Sequence, residues 1–280
     1  MRHAFSVDVE DWYDGIPVSR ETKSGAERRL DRGMDRLLGL LDRHRTRATF
    51  FLLGPIARDR PDLVRRIAAG GHEIGCHGWS HDLLYEMGPD RFREETRRAA
   101  GTIAGITGEP VRAYRAAYFS VTARSLWALE ILAELGFRYD SSIFPVRNWR
   151  YGIEGFDPAP QRLETPSGPI CELPVSVRKV LGRNVAASGG AYFRIYPYAL
   201  TRANLRHSER RRRPVNFYLH PWELDPDHPR VPFHWKARAT HYVNLRTTEP
   251  KLRALLRDFE FGPLGEVLEH ELAGERPRSL

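Results

Sequence analysis

The N-terminal half of the chain alternates short β-type runs with longer stretches of helical period, and this rhythm restricts the fold more than any other feature. Ala4-Phe5-Ser6-Val7-Asp8-Val9 reads as a strand, and residues 26–44 carry Leu30, Leu37, Leu38 and Leu41 at helical spacing. Ala48 to Gly54 reads as a buried strand, followed by a helix that begins near Pro61-Asp62 and ends at Gly70-Gly71. The pattern then repeats: His72 to Cys76 as a strand, residues 90–106 as a helix, Val111 to Tyr114 as a strand, and Ala123 to Leu135 as a helix closed by Gly136. Strands that alternate with helices build βαβ units, so the expected class is α/β, with a parallel sheet or barrel. A length of 280 residues suits one such barrel.

From about Pro145 to Arg194 the texture changes to Pro- and Gly-rich segments with short strands, among them Ile170 to Pro174. This stretch reads as an elaborated loop region within one continuous domain. Val215 to Leu219 is a further strand and Glu249 to Phe259 a last helix. A charged fraction of 29% beside a hydrophobic fraction of 41% excludes wholesale disorder. The net charge of +8 would suit an anionic partner. Its densest run, Arg210 to Arg213, reads as a solvated segment between elements, and without a helix-turn-helix, zinc-finger or RNP pattern no nucleic-acid partner is expected.

Residues 1–25 hold no uninterrupted apolar run and turn acidic by Asp8, which argues against a secretory signal. No stretch is long enough for a transmembrane segment. Two isolated thiols, Cys76 and Cys171, make no disulfide framework. A cytoplasmic location is the resulting expectation.

Five clusters follow predicted strands and carry chemistry. Asp8-Val9-Glu10-Asp11 ends the first strand, where i and i+2 share a face, so Asp8 and Glu10 can enter one site; a solvated acidic turn is the plain alternative. His77-Gly78-Trp79-Ser80-His81 places two imidazoles four residues apart, able to hold a divalent cation or to serve as structural histidines. With a carboxylate they form a two-histidine, one-carboxylate set that leaves positions open for water and substrate. Tyr114 to Ser120 presents Arg115, which alone would read as one half of an ion pair. Tyr139-Asp140-Ser141-Ser142 and Tyr218-Leu219-His220-Pro221-Trp222-Glu223 complete the set, and His220 taken singly reads as a satisfied structural histidine.

In this order the clusters resemble the NodB-homology polysaccharide deacetylases, also called carbohydrate esterase family 4, over most of residues 4–222. The strand ATFFLLG (Ala48 to Gly54) and the run Gly71-His72-Glu73-Ile74-Gly75 are also similar to that family. The first motif, DVED in place of the usual TFDDG, resembles the branch found in exosortase-linked (PEP-CTERM) exopolysaccharide loci. So does a C-terminal extension running from His241-Tyr242-Val243-Asn244-Leu245 to Leu264.

The resemblance implies a distorted, seven-stranded (β/α) barrel, with a catalytic domain over residues 1–230 and an extension over 231–280 packed on it. It makes Asp8 the general base and His77 and His81 metal ligands. Glu10 is the preferred carboxylate ligand, because D-x-[D/E] variants of the family put base and ligand two apart, and Asp11 is its rival. Arg115 looks like the arginine that orients the base, Asp140 resembles the acid paired with the catalytic histidine, and His220 is similar to the general acid. The backbone N–H of Tyr118 would be an oxyanion donor, although Ala117 stands where the family usually has proline.

The implied reaction is hydrolytic N-deacetylation of an N-acetylated glycan or amino-sugar precursor, assisted by a divalent metal. Zinc is the first choice, with cobalt, nickel and iron also compatible with the donors. Two rivals stand beside it: a same-fold hydrolase of a small linear or cyclic amide, and a glycan-binding protein without activity. Aromatic residues at Trp149, Tyr151, Tyr192, Phe193, Tyr196 and Tyr198 would stack sugar rings in the first and last of these readings, or else fill the core.

Overall fold

The computed structural model describes the chain except for Pro17, Ser19, Arg20, Glu21, Ser24, Trp149 and Leu280. Trp149 therefore lies outside the described residues. In chain order the strands are β1 (Arg2–Val9), β2 (Thr49–Leu52), β3 (Glu73–Cys76), β4 (Ala113–Tyr114), β5 (Tyr139–Asp140) and β6 (Gln161–Glu164). They continue as β7 (Ile170–Glu172), β8 (Val177–Val180), β9 (Arg183–Ala186), β10 (Asn216–Leu219), β11 (Glu260–Gly262) and β12 (Arg278–Ser279).

Ten of these strands form one curled sheet in the order β10-β1-β2-β3-β4-β5-β7-β6-β12, with β11 alongside the start of β1. The run from β10 to β7 is parallel at each step and contains seven strands, matching the expected number. β6 then joins antiparallel. The ladder does not close on itself. Side chains bridge the gap instead: Asn216 at the head of β10 donates from Nδ2 to the Leu173 carbonyl at 3.2 Å and from its backbone N–H to Ser176 Oγ at 2.8 Å.

Helices cover the outside of the sheet, as a parallel sheet buried on both faces requires. Leu30–Arg43 presents Leu30, Met34, Leu37, Leu38, Leu40 and Leu41 inward, and Pro89–Thr107 presents Phe92, Thr96, Ala99 and Ile103. The helix expected from Pro61 spans Pro61–Ala69 and is preceded by an unforeseen short one, Gly54–Asp59. The helix expected from Ala123 starts only at Trp127, because Ser125 ties residues 120–125 into a turn by hydrogen bonds to Ser120 and Thr122. Helix Tyr198–Arg210 was also not foreseen, and the arginine run is its C-terminal end and the turn beyond.

The C-terminal segment completes the domain. Helix Leu245–Asp258 buries Leu252, Leu255 and Leu256, and β11 pairs with β1. Helix Leu264–Glu271 then seals the barrel at the N-terminal ends of the strands. There Leu264, Val267 and Leu268 pack on Ala4, Phe51, Ala113 and Tyr139. The first turn of this helix is held by Thr49 Oγ1, which accepts the Leu264 N–H at 2.7 Å, and by Glu73, which accepts the Gly265 N–H at 3.1 Å. With that end filled, the opposite rim is left for ligands.

Candidate active site

Every candidate side chain leaves the sheet at the C-terminal end of a strand, the face on which α/β barrels collect their catalytic groups. Asp8 lies in the last residues of β1 and Glu10 just past it, His77 follows β3, Arg115 follows β4, Ser141 follows β5 and His220 follows β10. Together with His81 and Tyr118, Asp8, Glu10, His77 and His220 line a cavity of about 650 Å³.

At its floor, Glu10 Oε1 lies 2.9 Å from Nε2 of His77 and 2.8 Å from Nε2 of His81. Burial opposes ionisation of Glu10, yet the two imidazoles hold its carboxyl well below the usual carboxylate range. His77 Nδ1 is 2.8 Å from the Arg115 carbonyl. A carbonyl can only accept, so Nδ1 carries the proton and, in the neutral ring, Nε2 turns its lone pair toward Glu10. His81 Nε2 is buried and has no hydrogen-bond partner although it lies beside the same oxygen. Three ligand atoms within 4.8 Å of one another, crowded onto one point and incompletely paired, could hold a small divalent cation.

Asp11 is turned elsewhere. Its Oδ2 accepts the N–H groups of Arg29 (2.9 Å) and Leu30 (3.2 Å) at the start of helix Leu30–Arg43, and its Oδ1 accepts that of Trp12 (2.8 Å). The structure thus brings Glu10, and not Asp11, to the histidines.

Asp8 Oδ1 takes a hydrogen bond from Arg115 Nη1 at 2.7 Å, and its Oδ2 faces His220 Nε2 across 4.0 Å. Arg115 is completely buried and each of its nitrogens donates: besides Nη1 to Asp8, Nε bonds the Ser141 carbonyl, and Nη2 bonds Ser141 Oγ at 2.8 Å and Asn216 Oδ1 at 3.3 Å. Its plane lies 4.3 Å from the Phe51 ring. A guanidinium fixed on so many sides also fixes the carboxylate it grips.

Asp140 is not the partner of His220. It is buried on β5, where its oxygens accept Ser142 Oγ at 2.6 Å and the Ser142 N–H at 3.1 Å. Burial, and then the charge on neighbouring Asp140, push Glu172 well above the usual carboxylate range. The partner of His220 is Glu223, three residues on in the 3₁₀ turn Pro221–Leu224. Glu223 Oε1 accepts both the His220 N–H and Nδ1–H, each at 2.9 Å, and its Oε2 accepts Arg194 Nε at 2.6 Å. Residue 223 reaches His220 within one turn of chain, whereas Asp140 satisfies its oxygens on Ser142. Against the cost of burial, the hydrogen bond His220 makes to Glu223 and the charges of Glu10, Glu223 and Asp8 raise His220 to about 9. Burial likewise opposes ionisation of Glu223, but Arg194 and His220 hold it at about 2.

The surrounding turns fix these groups. His220's turn lies against helix Leu30–Arg43 so closely that a β-carbon at Gly33 would meet the Pro221 carbonyl oxygen at 2.1 Å. Arg29 clamps Asp225 at the end of the same turn with bonds of 2.6 and 3.0 Å. Tyr118 takes a left-handed backbone (φ 55°), and its ring packs 4.5 Å from that of His81, with the Arg150 guanidinium 3.8 Å above it. Of the aromatic residues expected to meet sugars, Tyr151 and Tyr192 line the cavity. Phe193 packs in the core on Phe217, and the hydroxyls of Tyr196 and Tyr198 bind the Ala186 carbonyl and Asp258.

Comparison with known proteins fits this arrangement. The profile of the polysaccharide deacetylase family matches residues 27–139, which include His77, His81 and Arg115. Those residues match a polysaccharide deacetylase domain. A second profile, a domain of unknown function (DUF3473), matches residues 141–269 and takes in Arg194, His220 and Glu223. The two meet at Asp140 in β5, inside the one sheet.

Among relatives in sequence, the chain is similar in part to a peptidoglycan-N-acetylglucosamine deacetylase of Bacillus cereus. The two are 33% identical over 125 residues, which are 44% of this chain and 45% of that one. A chitooligosaccharide deacetylase of Bradyrhizobium sp. is 32% identical over 98 residues, 35% of this chain and 42% of its own. The chain thus spans less than half the length of these relatives. In fold it resembles a Mycobacterium smegmatis protein described as a polysaccharide deacetylase, with TM-score 0.69 and 22% identity over 99% of this chain and 92% of that one. It also resembles an allantoinase, with TM-score 0.62 and 16% identity over 97% and 91% of the two chains. Among the described residues no helix is long and apolar enough to cross a membrane.

Proposed function

We propose that this protein is a metal-dependent N-deacetylase acting on N-acetylated amino sugars of an exopolysaccharide or its precursor. The observation that carries the reading is the convergence of three units on one cavity: Glu10 with His77 and His81, Asp8 gripped by Arg115, and His220 held by Glu223. An acetamide resists water because its carbonyl is resonance-stabilised and its amine leaves poorly, and each unit answers part of that difficulty.

Glu10, His77 and His81 would hold a divalent cation, with zinc the first choice for two imidazoles and a carboxylate. Bound there, such an ion supplies polarisation of the acetyl carbonyl and a lowered pKa for water. Asp8 takes the proton of the attacking water, kept in place by Arg115. The N–H of Tyr118, on its left-handed turn, is the proposed oxyanion donor. His220, kept protonated by Glu223, gives a proton to the departing amine.

The DVED motif and the C-terminal extension support assignment to the exosortase-linked branch. The proposed setting is the cytoplasm, on a nucleotide- or lipid-linked sugar or a nascent glycan. The test is acetate release from N-acetylglucosamine oligomers set beside small linear and cyclic amides, allantoin included. Turnover of the oligomers alone supports the reading. Turnover of a small amide alone replaces it with the rival hydrolase, and turnover of neither leaves a binding protein.

A further inference from the structure

The hairpin β8–β9 presents apolar residues to solvent in a way that folding does not require. Its strands pair antiparallel up to Val180 opposite Arg183, leaving Leu181-Gly182 as a two-residue turn with positive φ at both positions, 48° and 81°. Such a turn favours asparagine or glycine at its first position, and a leucine there is strained. Leu181 is nevertheless wholly exposed, and Val180 and Val185 are 44% and 39% exposed.

Strand alternation explains which face they occupy. Val177 and Ala186 share one face and pack on Phe119, Phe144 and Tyr218 of the catalytic cavity. Val180 and Val185 share the other face with Arg178 and Arg183. Beside the hairpin a cleft of about 560 Å³ is lined by Val177, Arg178, Lys179, Asp157, Arg211 and Arg213, which brings the arginine run of the sequence to the hairpin. Among the described residues none of these cations, nor Arg183, has a carboxylate within ion-pair distance. Burial, and then the charges of Arg211, Arg178 and Arg210, hold His207 below its ordinary pKa.

We infer that this corner of the molecule docks on an anionic phospholipid surface, with Leu181 and the two valines entering the headgroup region and the arginines meeting lipid phosphates. Unpaired cations alone would suit any polyanion. The strained, fully exposed leucine among them singles out a surface with an apolar interior. Because the hairpin's inner face rests on the catalytic cavity, docking would bring the cavity near the membrane.

The test is sedimentation of the full chain with vesicles of phosphatidylcholine and phosphatidylglycerol (three to one), against vesicles of phosphatidylcholine alone. The protein should pellet with the first and not the second, and release as salt rises. Leu181→Asn suits the turn, so the fold should keep its heat stability while vesicle affinity falls about tenfold, the order expected for one buried leucine. Arg211→Glu with Arg213→Glu should lower affinity by more than fivefold per site, since neutralising one cation near the surface alone costs about that much. Acetate release from a soluble substrate should be unchanged in both variants. Equal binding to both vesicle types, or none to the anionic ones at low salt, would overturn the inference. Anionic-vesicle binding that ignores Leu181→Asn, matched by equal binding of dextran sulfate, would overturn it too and make the corner a polyanion site.

Discussion

Nδ1 of His220 donates to Oε1 of Glu223 across 2.9 Å, and the other oxygen of that carboxylate is closed off by Arg194 at 2.6 Å. This contact, rather than one with Asp140, sets the protonation state of the histidine. Below about 9, His220 carries the proton it must donate, so the rate should fall as pH rises through that value. Glu223→Gln removes the charge that raises the pKa. The alkaline limb of the pH–rate profile should then move down toward the ordinary histidine range of about 6.5. Asp140→Asn should leave that limb where it is. A limb that moves with Asp140 and not with Glu223 would return the role to Asp140.

Arg194 extends the same chain of contacts to the C-terminal segment, because its Nη1 donates to the carbonyls of Thr240 (2.9 Å), His241 (2.7 Å) and Val243 (3.2 Å). Truncation before Thr240 should therefore disturb His220 as well as expose the barrel floor on which Leu264, Val267 and Leu268 pack. The expected result is an aggregating or heat-labile protein. A truncated chain that stays monomeric and equally stable would show the segment to be dispensable.

The two carboxylates of the first motif should separate by experiment. Glu10→Ala should lose metal affinity. Asp11→Ala should keep the metal and instead cost about 1 kcal/mol of stability, the ordinary value of a helix N-terminal acceptor, since Asp11 serves the amides of Arg29 and Leu30. Metal analysis and thermal unfolding of the two variants check this, and the opposite pattern would exchange the assignments.

Base and acid should differ in substrate dependence. Asp8→Asn should retain metal and lose roughly 10² to 10⁴ in rate on amides and activated esters alike. His220→Ala should hurt amides far more than activated esters, whose leaving groups need little protonation. Equal losses on both substrates would remove His220 from the acid role.

Much of this was legible in the sequence because the signals are local. The alternation of strand and helix gave the parallel sheet, and the position of each cluster just after a strand gave the common rim. The i, i+2 relation of Asp8 and Glu10 is strand geometry, readable without contacts, whereas His77 and His81 meet through an irregular loop with positive φ at Gly78 and His81. Asp140 misled because its acidic character and strand-end position suited a histidine partner, whereas its real partner lies two residues on, in Ser142. Glu223 was visible in the same run as His220, and a spacing of three after a turn-opening residue is the mark of a capping box. Arg194 and Asn216 carried no signal: they join Glu223 and the barrel gap across long separations in the chain, which only the folded topology closes. Helix Tyr198–Arg210 was hidden by its dense arginines and by the glycine- and proline-rich stretch before it.

The most direct test of the central claim is acetate release from N-acetylglucosamine oligomers while zinc is titrated into chelator-stripped protein, with the His81→Ala variant run in parallel. The account predicts no release from stripped protein, recovery that saturates at one equivalent of zinc, and neither tight zinc binding nor recovery in the variant. Undiminished release after stripping, or full recovery in His81→Ala, would contradict it.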